Sequence, residues 1–121
     1  MEPSKADSAL SELKDLSLAE AARLIKEQGN NPDLVILDIR TPAEYQSGHL
    51  VGAVNIDYDA ADFRTRLEGL DRNKTYLIYC RTGNRSGHAM ALMRGLNFQR
   101  VYRLSGGIVA WRLGRRPTIK E

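Results

Sequence analysis

The sequence predicts an α/β fold: an open, mostly parallel sheet of about four to five strands with helices on both faces. Two observations predict it. Short apolar runs alternate along the chain with segments of helical periodicity, and the central runs are apolar at consecutive positions, as in strands buried on both faces. We expect one domain over residues 16–114, between a mobile N-terminal segment (residues 1–15) and a basic C-terminal tail (residues 115–121).

The first two predicted helices are marked by capping boxes. Ser17 and Glu20 stand at capping-box spacing before a segment of helical periodicity that ends at the next glycine. Thr41 and Glu44 repeat the pattern with a proline at the first helical position, which predicts a short helix that also ends near the next glycine. Both helix starts therefore follow from local sequence.

Three further helices are predicted in the second half of the chain. Asp59 is a candidate N-cap for a helix with an apolar stripe, and a second stripe begins at about Ser86. A glycine-containing turn at residues 105–107 leads into a last short helix, which contains Trp111 and ends at Gly114. We expect Trp111 to pack in the core, because it is the largest apolar side chain of that helix.

Four short apolar runs predict the strands. They are residues 34–37, 51–56, 76–79 and 101–104. Ligands of open parallel sheets bind beyond the carboxyl ends of the strands. Cys80 directly follows the third run, so it is expected to lie at such an end.

Cys80 is the only cysteine, and we predict that it is the catalytic residue. A strand followed by a glycine-containing turn and a helix surrounds the sulfur with backbone N–H groups and the positive end of a helix. A thiolate in a basic, partly exposed loop is a nucleophile, whereas a thiol in an apolar core stays protonated. On position alone, a buried structural cysteine is the alternative.

The residues that follow Cys80 are predicted to bind the substrate, and they are Arg81, Thr82, Gly83, Asn84, Arg85 and Ser86. None of them is proline, so each can donate a backbone N–H toward the centre of the loop. Gly83 and Asn84 tolerate a positive φ, which a tight loop requires. Arg81 and Arg85 add positive charge that favours the thiolate and attracts an anionic donor.

Three segments of the chain resemble the rhodanese (thiosulfate sulfurtransferase) domain family, in its single-domain type. They are residues 37–56, with LDIR, EY and GHLVGAVNI, the loop CRTGNRS at 80–86, and LSGGIVAW at 104–111. The resemblance implies a thiosulfate sulfurtransferase in which Cys80 takes a sulfane sulfur from thiosulfate or a persulfide donor. The resulting Cys80 persulfide would pass that sulfur to a thiophilic acceptor, cyanide or a thiol.

Four polar residues outside the loop are expected to support the structure, and they are Asp38, Arg40, Glu44 and His49. Either Arg40 pairs with Glu44, or Asp38 bonds backbone N–H groups in the following turn. The resemblance agrees, because these are framework positions in the family. His49 belongs to a segment that the family uses to hold the fold, which favours a hydrogen-bonded structural histidine.

Two other functions stay open at this stage. A non-catalytic rhodanese-like binding or sensing module would dock a partner through the loop, although the retained cysteine argues against it. A cysteine phosphatase or arsenate reductase is the weaker alternative, because related phosphatases have a C-x5-R loop and Arg85 here gives C-x4-R. The shorter ring suits a single added sulfur better than a phosphoryl group.

Composition limits the partners of the chain. A net charge of +3, from 18 basic and 15 acidic residues, suits small anionic substrates better than nucleic acid. A single cysteine excludes an internal disulfide, a CxxC redox pair and a cysteine metal site, and the two histidines stand apart. We therefore expect no metal and no cofactor.

The expected partners are a small-molecule sulfur donor and a thiol or cyanide acceptor, with a sulfur-accepting protein as a further candidate. No apolar stretch has the length of a signal peptide or a membrane span. The expected location is the cytoplasm, or the periplasm if a leader has been removed. The physiological donor, the acceptor, the pathway and the oligomeric state do not follow from the sequence.

Overall fold

The apolar runs of the sequence form the centre of a parallel sheet in the computed structural model, which describes residues 12–121. The strands are β1 (Glu12–Leu16), β2 (Leu34–Asp38), β3 (His49–Leu50), β4 (Val54–Asn55), β5 (Thr75–Tyr79), β6 (Arg100–Leu104) and β7 (Thr118–Ile119). Five of them form one parallel sheet in the order β1-β6-β5-β2-β4, and β3 pairs with β7 antiparallel in a second, two-stranded sheet. The predicted open α/β fold class is confirmed.

Five helices connect the strands. They are α1 (Leu18–Gln28), α2 (Pro42–Gln46), α3 (Phe63–Glu68), α4 (Asn84–Gly95) and α5 (Gly107–Leu113). Both predicted capping boxes are present, with reciprocal side-chain and backbone hydrogen bonds at the starts of α1 and α2. The longest of these helices, α4, has 12 residues, and no helix within residues 12–121 has the length and apolarity that crossing a bilayer requires.

The sheet separates two apolar cores because successive strand residues point to opposite faces. In β5, Tyr76 and Ile78 pack in one core with buried residues of α3 and α4. Leu77 and Tyr79 pack in the other with residues of α1 and α5, among them Trp111, whose predicted core position is confirmed. The central strand β5 is thus anchored on both faces, and it holds the backbone of Cys80 at its carboxyl end.

Strand β1 begins before residue 16, the predicted start of the domain. Glu12–Leu16 pair in parallel with the whole of β6, so residues 12–15, which the prediction places in the N-terminal segment, belong to the sheet. Only Leu16 of this edge strand is buried, so the sequence lacks the apolar run that revealed the other strands. Residues 1–11 lie outside the described residues, and the predicted mobility of the segment stays a prediction.

Three other element predictions differ in detail. Within the predicted strand at 51–56, only Val54–Asn55 form a strand, β4, because residues 51–52 lie in a turn in which Gly52 has φ +85°. Asp59 does not cap α3, which begins after Asp62 and has no side-chain cap. Helix α4 begins at Asn84, two residues before the predicted Ser86.

The C-terminal tail is also more ordered than its basic composition suggested. Thr118 and Ile119 form β7, which pairs with Leu50 and His49. The indole N–H of Trp111 donates to the carbonyl of Pro117 at 2.8 Å, which ties this part of the tail to α5.

Candidate active site

The Cys80 thiol lies at the carboxyl end of the central strand β5, where residues 81–83 form a short turn before α4. Strands β2 and β6 flank β5, so the turns that follow all three strands meet at the same edge of the sheet. Cys80 is 1% exposed and belongs to the core that faces α3 and α4. The sulfur is therefore fixed by packing on one side and by its loop on the other.

The loop directs hydrogen-bond donors at the sulfur. The backbone N–H of Gly83 donates to Sγ at 3.1 Å, and that of Ser86 donates at 3.4 Å. The hydroxyl oxygen of Ser86 lies 3.5 Å from Sγ. Gly83 has φ +136°, a conformation that a residue with a side chain rarely adopts, and this turns its N–H toward the sulfur.

These donors lower the pKa of the Cys80 thiol below its ordinary value. Burial is the largest single effect and raises the pKa, because an apolar surrounding disfavours the thiolate. The hydrogen bonds from the Ser86 side chain and from the backbone of Ser86, Gly83 and Thr82 together outweigh it. The anionic form is stabilised mainly by neutral dipoles.

The N-terminus of α5 holds the same loop through hydrogen bonds to its backbone carbonyls. The N–H of Ile108 donates to the carbonyl of Cys80 at 3.0 Å, and that of Val109 donates to the carbonyl of Arg81 at 3.1 Å. Gly107 approaches so closely that a Cβ atom there would lie 2.3 Å from the carbonyl oxygen of Arg81. This contact and its φ of +61° require glycine.

Arg85, which was expected to add positive charge to the loop, is paired with a carboxylate. Its guanidinium donates to both carboxylate oxygens of Glu44, at 2.9 and 3.1 Å. The hydrogen bonds from Arg85 are the largest cause that lowers the pKa of Glu44 to about 2. The partner carboxylate comes from α2, 41 residues away, so the expected effect of the Arg85 charge on the loop stays a prediction.

Arg81 differs from Arg85, because it is exposed at the start of the turn. Asn84 is the first residue of α4 and is helical, so Gly83 alone of the two takes the predicted positive φ. The loop thus brings the sulfur of Cys80 together with the hydrogen-bond donors of Gly83 and Ser86.

Two expected support residues, Asp38 at the end of β2 and Arg40 just after it, form a buried network. Asp38 is 0% exposed and Arg40 is 2% exposed, and Arg40 Nη2 lies 2.7 Å from Asp38 Oδ2. The same nitrogen donates to the carbonyl of Gly48, and the Tyr79 hydroxyl donates to Asp38 Oδ2 at 2.7 Å. Of the two alternatives, the pairing of Arg40 with Glu44 is wrong, and Asp38 accepts the N–H of Arg40 at 2.9 Å.

His49 and His88 have separate surroundings. His49 is buried, its Nδ1 lies 2.8 Å from the carbonyl oxygen of Tyr45, and its ring stacks on the Tyr45 ring with centroids 3.7 Å apart. His88, on α4, has its Nδ1 3.3 Å from the Tyr58 hydroxyl. Within residues 12–121, neither imidazole makes a hydrogen bond with Sγ.

Sequence reasoning missed Arg103 and Asp15, which lie beside the loop. Arg103 is level with Ile78 of β5 and with Asp15 of β1 in the strand register, and Nη1 of Arg103 donates to the carbonyl of Gly83 at 2.8 Å. These contacts join residues 20 and 88 positions apart. In the sequence, Arg103 is only a charged residue near the end of a predicted strand, and this position does not show which residues it contacts.

Comparison with known proteins gives a consistent result. The sequence model of the family described as "Rhodanese-like domain" matches residues 17–113. Thiosulfate sulfurtransferase GlpE of Pseudomonas entomophila is 36% identical over 104 residues, which cover 85% of this chain and 88% of that protein. A sulfurtransferase of Allochromatium vinosum is 32% identical over 92 residues, 76% of this chain and 84% of that protein.

A solved structure extends the similarity to the fold. The crystal structure of a rhodanese-related protein from Thermoplasma volcanium superposes on this chain with a TM-score of 0.77 at 27% identity. The superposition covers 89% of this chain and 99% of that chain.

Proposed function

Because the chain belongs to the rhodanese-like domain family, we propose that it is a thiosulfate sulfurtransferase in which Cys80 carries the transferred sulfur as a persulfide. The observation that carries the proposal is the arrangement around Sγ, where backbone N–H groups of Gly83 and Ser86 face a sulfur whose pKa is lowered. A thiolate held by neutral donors is stable enough to form and remains a nucleophile.

In the first step, the Cys80 thiolate attacks the outer sulfur of thiosulfate. A bond forms between the two sulfurs, the sulfur–sulfur bond of thiosulfate breaks, and its electron pair leaves with sulfite. The products are a Cys80 persulfide anion and sulfite, so charge is conserved and no proton is transferred. Sulfite is a stable anion, so the step needs no general acid, and no such group bonds Sγ in the described structure.

In the second step, a thiophilic acceptor removes the outer sulfur. Cyanide attacks the terminal sulfur of the persulfide, the bond between the two sulfurs breaks, and the electron pair returns to Cys80 as thiolate. The product is thiocyanate, and a thiol acceptor would give a persulfide in the same way. The backbone of residues 81–86 would hold the terminal anion between the two steps.

Arg81 is the loop arginine that we expect to steer the anionic donor. Its side chain is exposed, whereas the charge of Arg85 is compensated by Glu44 at 2.9 Å. The contribution of Arg85 is then mainly to hold the start of α4 against α2. The pairing also disfavours the phosphatase alternative, because a phosphoryl group would require that guanidinium inside the loop.

The test uses the fact that the chain has one thiol. Incubation with thiosulfate should add one sulfur atom to the intact mass of the protein and release sulfite, and cyanide should then remove the added sulfur. Cys80→Ser should show neither the adduct nor turnover. Wild-type protein alkylated at Cys80 is the matched control, because it blocks the same atom without a substitution.

Two outcomes would contradict the proposal. If the wild-type protein takes up no sulfur from thiosulfate or from a small persulfide, the binding-module alternative is favoured. If Cys80→Ser still transfers sulfur, another group is the nucleophile.

A further inference from the structure

An ion pair between two neighbouring strands lies beside the Cys80 loop. Arg103 of β6 and Asp15 of β1 face each other in the parallel register. Arg103 Nε donates to Asp15 Oδ1 at 2.7 Å, and Nη2 donates to Oδ2 at 2.6 Å. Two parallel hydrogen bonds fix the plane of the guanidinium as well as its position.

The remaining guanidinium nitrogen reaches the loop. Nη1 of Arg103 donates to the carbonyl of Gly83 at 2.8 Å. A Cβ atom would lie 3.4 Å from Nη1 at Gly83 and 3.2 Å from it at Gly87. Because both positions are glycine, the guanidinium lies directly against the backbone of the turn that carries the sulfur's donors.

The peptide groups of Gly83 connect this guanidinium to the sulfur. The N–H of Gly83 donates to Cys80 Sγ at 3.1 Å, while its carbonyl accepts from Arg103, from the N–H of Gly87 at 3.0 Å and from the Ser86 hydroxyl at 3.1 Å. The bond from Arg103 is the shortest of the three and the only one from a charged donor. The charged contact therefore contributes most to fixing this residue.

The Ser86 hydroxyl has one proton and two acceptors within reach. It donates to the Gly83 carbonyl at 3.1 Å, and the Cys80 sulfur lies 3.5 Å from the same oxygen. When the thiol ionises, the hydroxyl proton can turn to the sulfur, and the Gly83 carbonyl then keeps its bonds from Arg103 and Gly87. Arg103 thus allows Ser86 to change partner without leaving the carbonyl short of donors.

We propose that Arg103 is a positioning residue, which keeps the Gly83 N–H directed at the Cys80 sulfur. Asp15 takes part by holding the guanidinium from the edge strand. The consequence for sulfur transfer rests on the proposed function, whereas the effect on the thiol does not. The two residues act on the reacting sulfur through the loop and touch no substrate.

Charge acts in the same direction at this site. The charged groups near the sulfur are Arg81 in the turn, Arg85 of α4 with Glu44, Arg103 with Asp15, and Asp59, whose charge raises the pKa of Arg85 slightly. The pKa of Arg103 is raised, chiefly by its hydrogen bonds to Asp15 and in smaller part by the charge of Cys80. The guanidinium is therefore near enough to stabilise the thiolate by charge as well as by position.

The experiment measures the pKa of Cys80 from the rate of iodoacetamide alkylation against pH, followed by intact mass. Arg103→Met should raise that pKa by about half a unit to one unit, because one donor and one partly exposed charge are lost. Arg103→Lys should give an intermediate shift, since an ammonium keeps the charge but cannot make the forked contact. Arg100→Met, which removes one positive charge from the same strand, is the matched control and should leave the pKa unchanged.

Asp15→Asn separates positioning from charge. If Arg103 acted by its charge alone, removing the negative partner would lower the pKa of Cys80. The proposal expects the opposite sign, because the guanidinium loses its fixed orientation and the Gly83 N–H is held less firmly. An unchanged or lowered pKa in Asp15→Asn would overturn the role given to Asp15, and an unchanged pKa in Arg103→Met would overturn the whole proposal.

Turnover gives the second readout. In Arg103→Met, the pH at which kcat/KM for thiosulfate reaches half of its plateau should rise with the thiol pKa, and Arg103→Lys should recover part of it. If the wild-type protein proves inactive with thiosulfate, the proposed function fails, but the alkylation series still decides whether Arg103 tunes Cys80. If every variant kept the Cys80 pKa of the wild type while its turnover fell, the positioning role would also be refuted.

Discussion

The carboxyl ends of β2 and β5 lie side by side at the same edge of the sheet, and each carries a buried group that can be anionic. At the end of β2, the Asp38 carboxylate contacts the Arg40 guanidinium at 2.7 Å and the Tyr79 hydroxyl at 2.7 Å. After β5, the Cys80 sulfur is bonded by backbone N–H groups and a hydroxyl, and the nearby Arg85 and Arg103 are paired with Glu44 and Asp15.

The difference explains why one anion is structural and the other is suited to reaction. A carboxylate in direct contact with a buried cation is neutralised, and displacing it would leave an uncompensated charge in the core. Dipoles that surround a thiolate lower its pKa without covering it with a counter-ion. Substitutions that remove a partner of either group should therefore act differently, mainly on stability for Asp38 and on turnover for Cys80.

The largest effect is expected from Asp38→Asn. The change leaves the Arg40 guanidinium buried at 2% exposure without its carboxylate, which should cost about 3 kcal/mol in the free energy of unfolding. Denaturant unfolding measures the loss. Asp62→Asn is the control, because this exposed residue makes no capping hydrogen bond, and it should be close to neutral.

Turnover per folded molecule should change little in Asp38→Asn, because the carboxylate bonds Arg40 and Tyr79 and makes no recorded bond to the sulfur. If Asp38→Asn unfolded at the same denaturant concentration as the wild type, the structural role given to this carboxylate would be wrong. The same conclusion would follow if folded Asp38→Asn lost turnover to the same degree as Cys80→Ser.

The next effect is expected from Gly107→Ala, which acts on the β5 turn through its backbone. The new Cβ would lie 2.3 Å from the carbonyl oxygen of Arg81 and 2.6 Å from that of Cys80. We expect a loss of about 2 kcal/mol in stability from backbone strain and overlap, and at least a tenfold loss in turnover as the loop shifts.

Gly52→Ala is the matched control for this clash. Gly52 also has a positive φ, of +85°, yet a Cβ there would meet nothing within 4 Å. It should therefore show the conformational cost of about 1 kcal/mol without the loss of turnover. Equal turnover in the two variants would show that the contact with α5 does not hold the loop in its active geometry.

The smallest effect is expected from Glu44→Gln, which removes the anion paired with Arg85. The folded pKa of about 2 lies below the ordinary value of 4.5, so the carboxylate contributes its full stability above 4.5 and loses it as the pH falls toward 2. With partial exposure the contribution should be about 1 kcal/mol at neutral pH. Unfolding at a series of pH values measures it.

The second capping box supplies the control for Glu44→Gln. Glu20 closes the box at the start of α1 in the same way but has no arginine in hydrogen-bond contact in the described structure. The stability difference between wild type and Glu44→Gln should shrink from pH 5 to pH 2.5 and should exceed that of Glu20→Gln at pH 7. Equal differences would mean that Arg85 adds nothing to the capping box.

Local patterns were sufficient to predict most of the framework. The capping pairs are three residues apart, and the buried strands are continuous apolar runs, so both can be recognised within one window of sequence. Cys80 and the donor Gly83 were predictable for the same reason, since their contact joins residues three positions apart. Strand β1 was missed because an edge strand with one buried residue has no apolar run.

The parts of the site that were missed depend on strand order. Arg85 was predicted to add positive charge to the loop, but its pairing with Glu44 of α2, 41 positions away, was not predicted. Arg103 reaches the loop only because β6 lies next to β5, and Asp15 reaches Arg103 because β1 is the next strand outward. Neither adjacency can be read from residue spacing, so the partners of charged side chains required the structure.

The bonds from the first turn of α5 to the carbonyls of Cys80 and Arg81 limit how the loop can move. Swinging the cysteine outward would break those bonds and unwind the start of a helix whose Trp111 is packed in the core. A sulfur bound at this position would stay at fixed coordinates. The protein would then act as a stationary donor, and any acceptor, large or small, would have to bring its own reactive atom to the mouth of the loop.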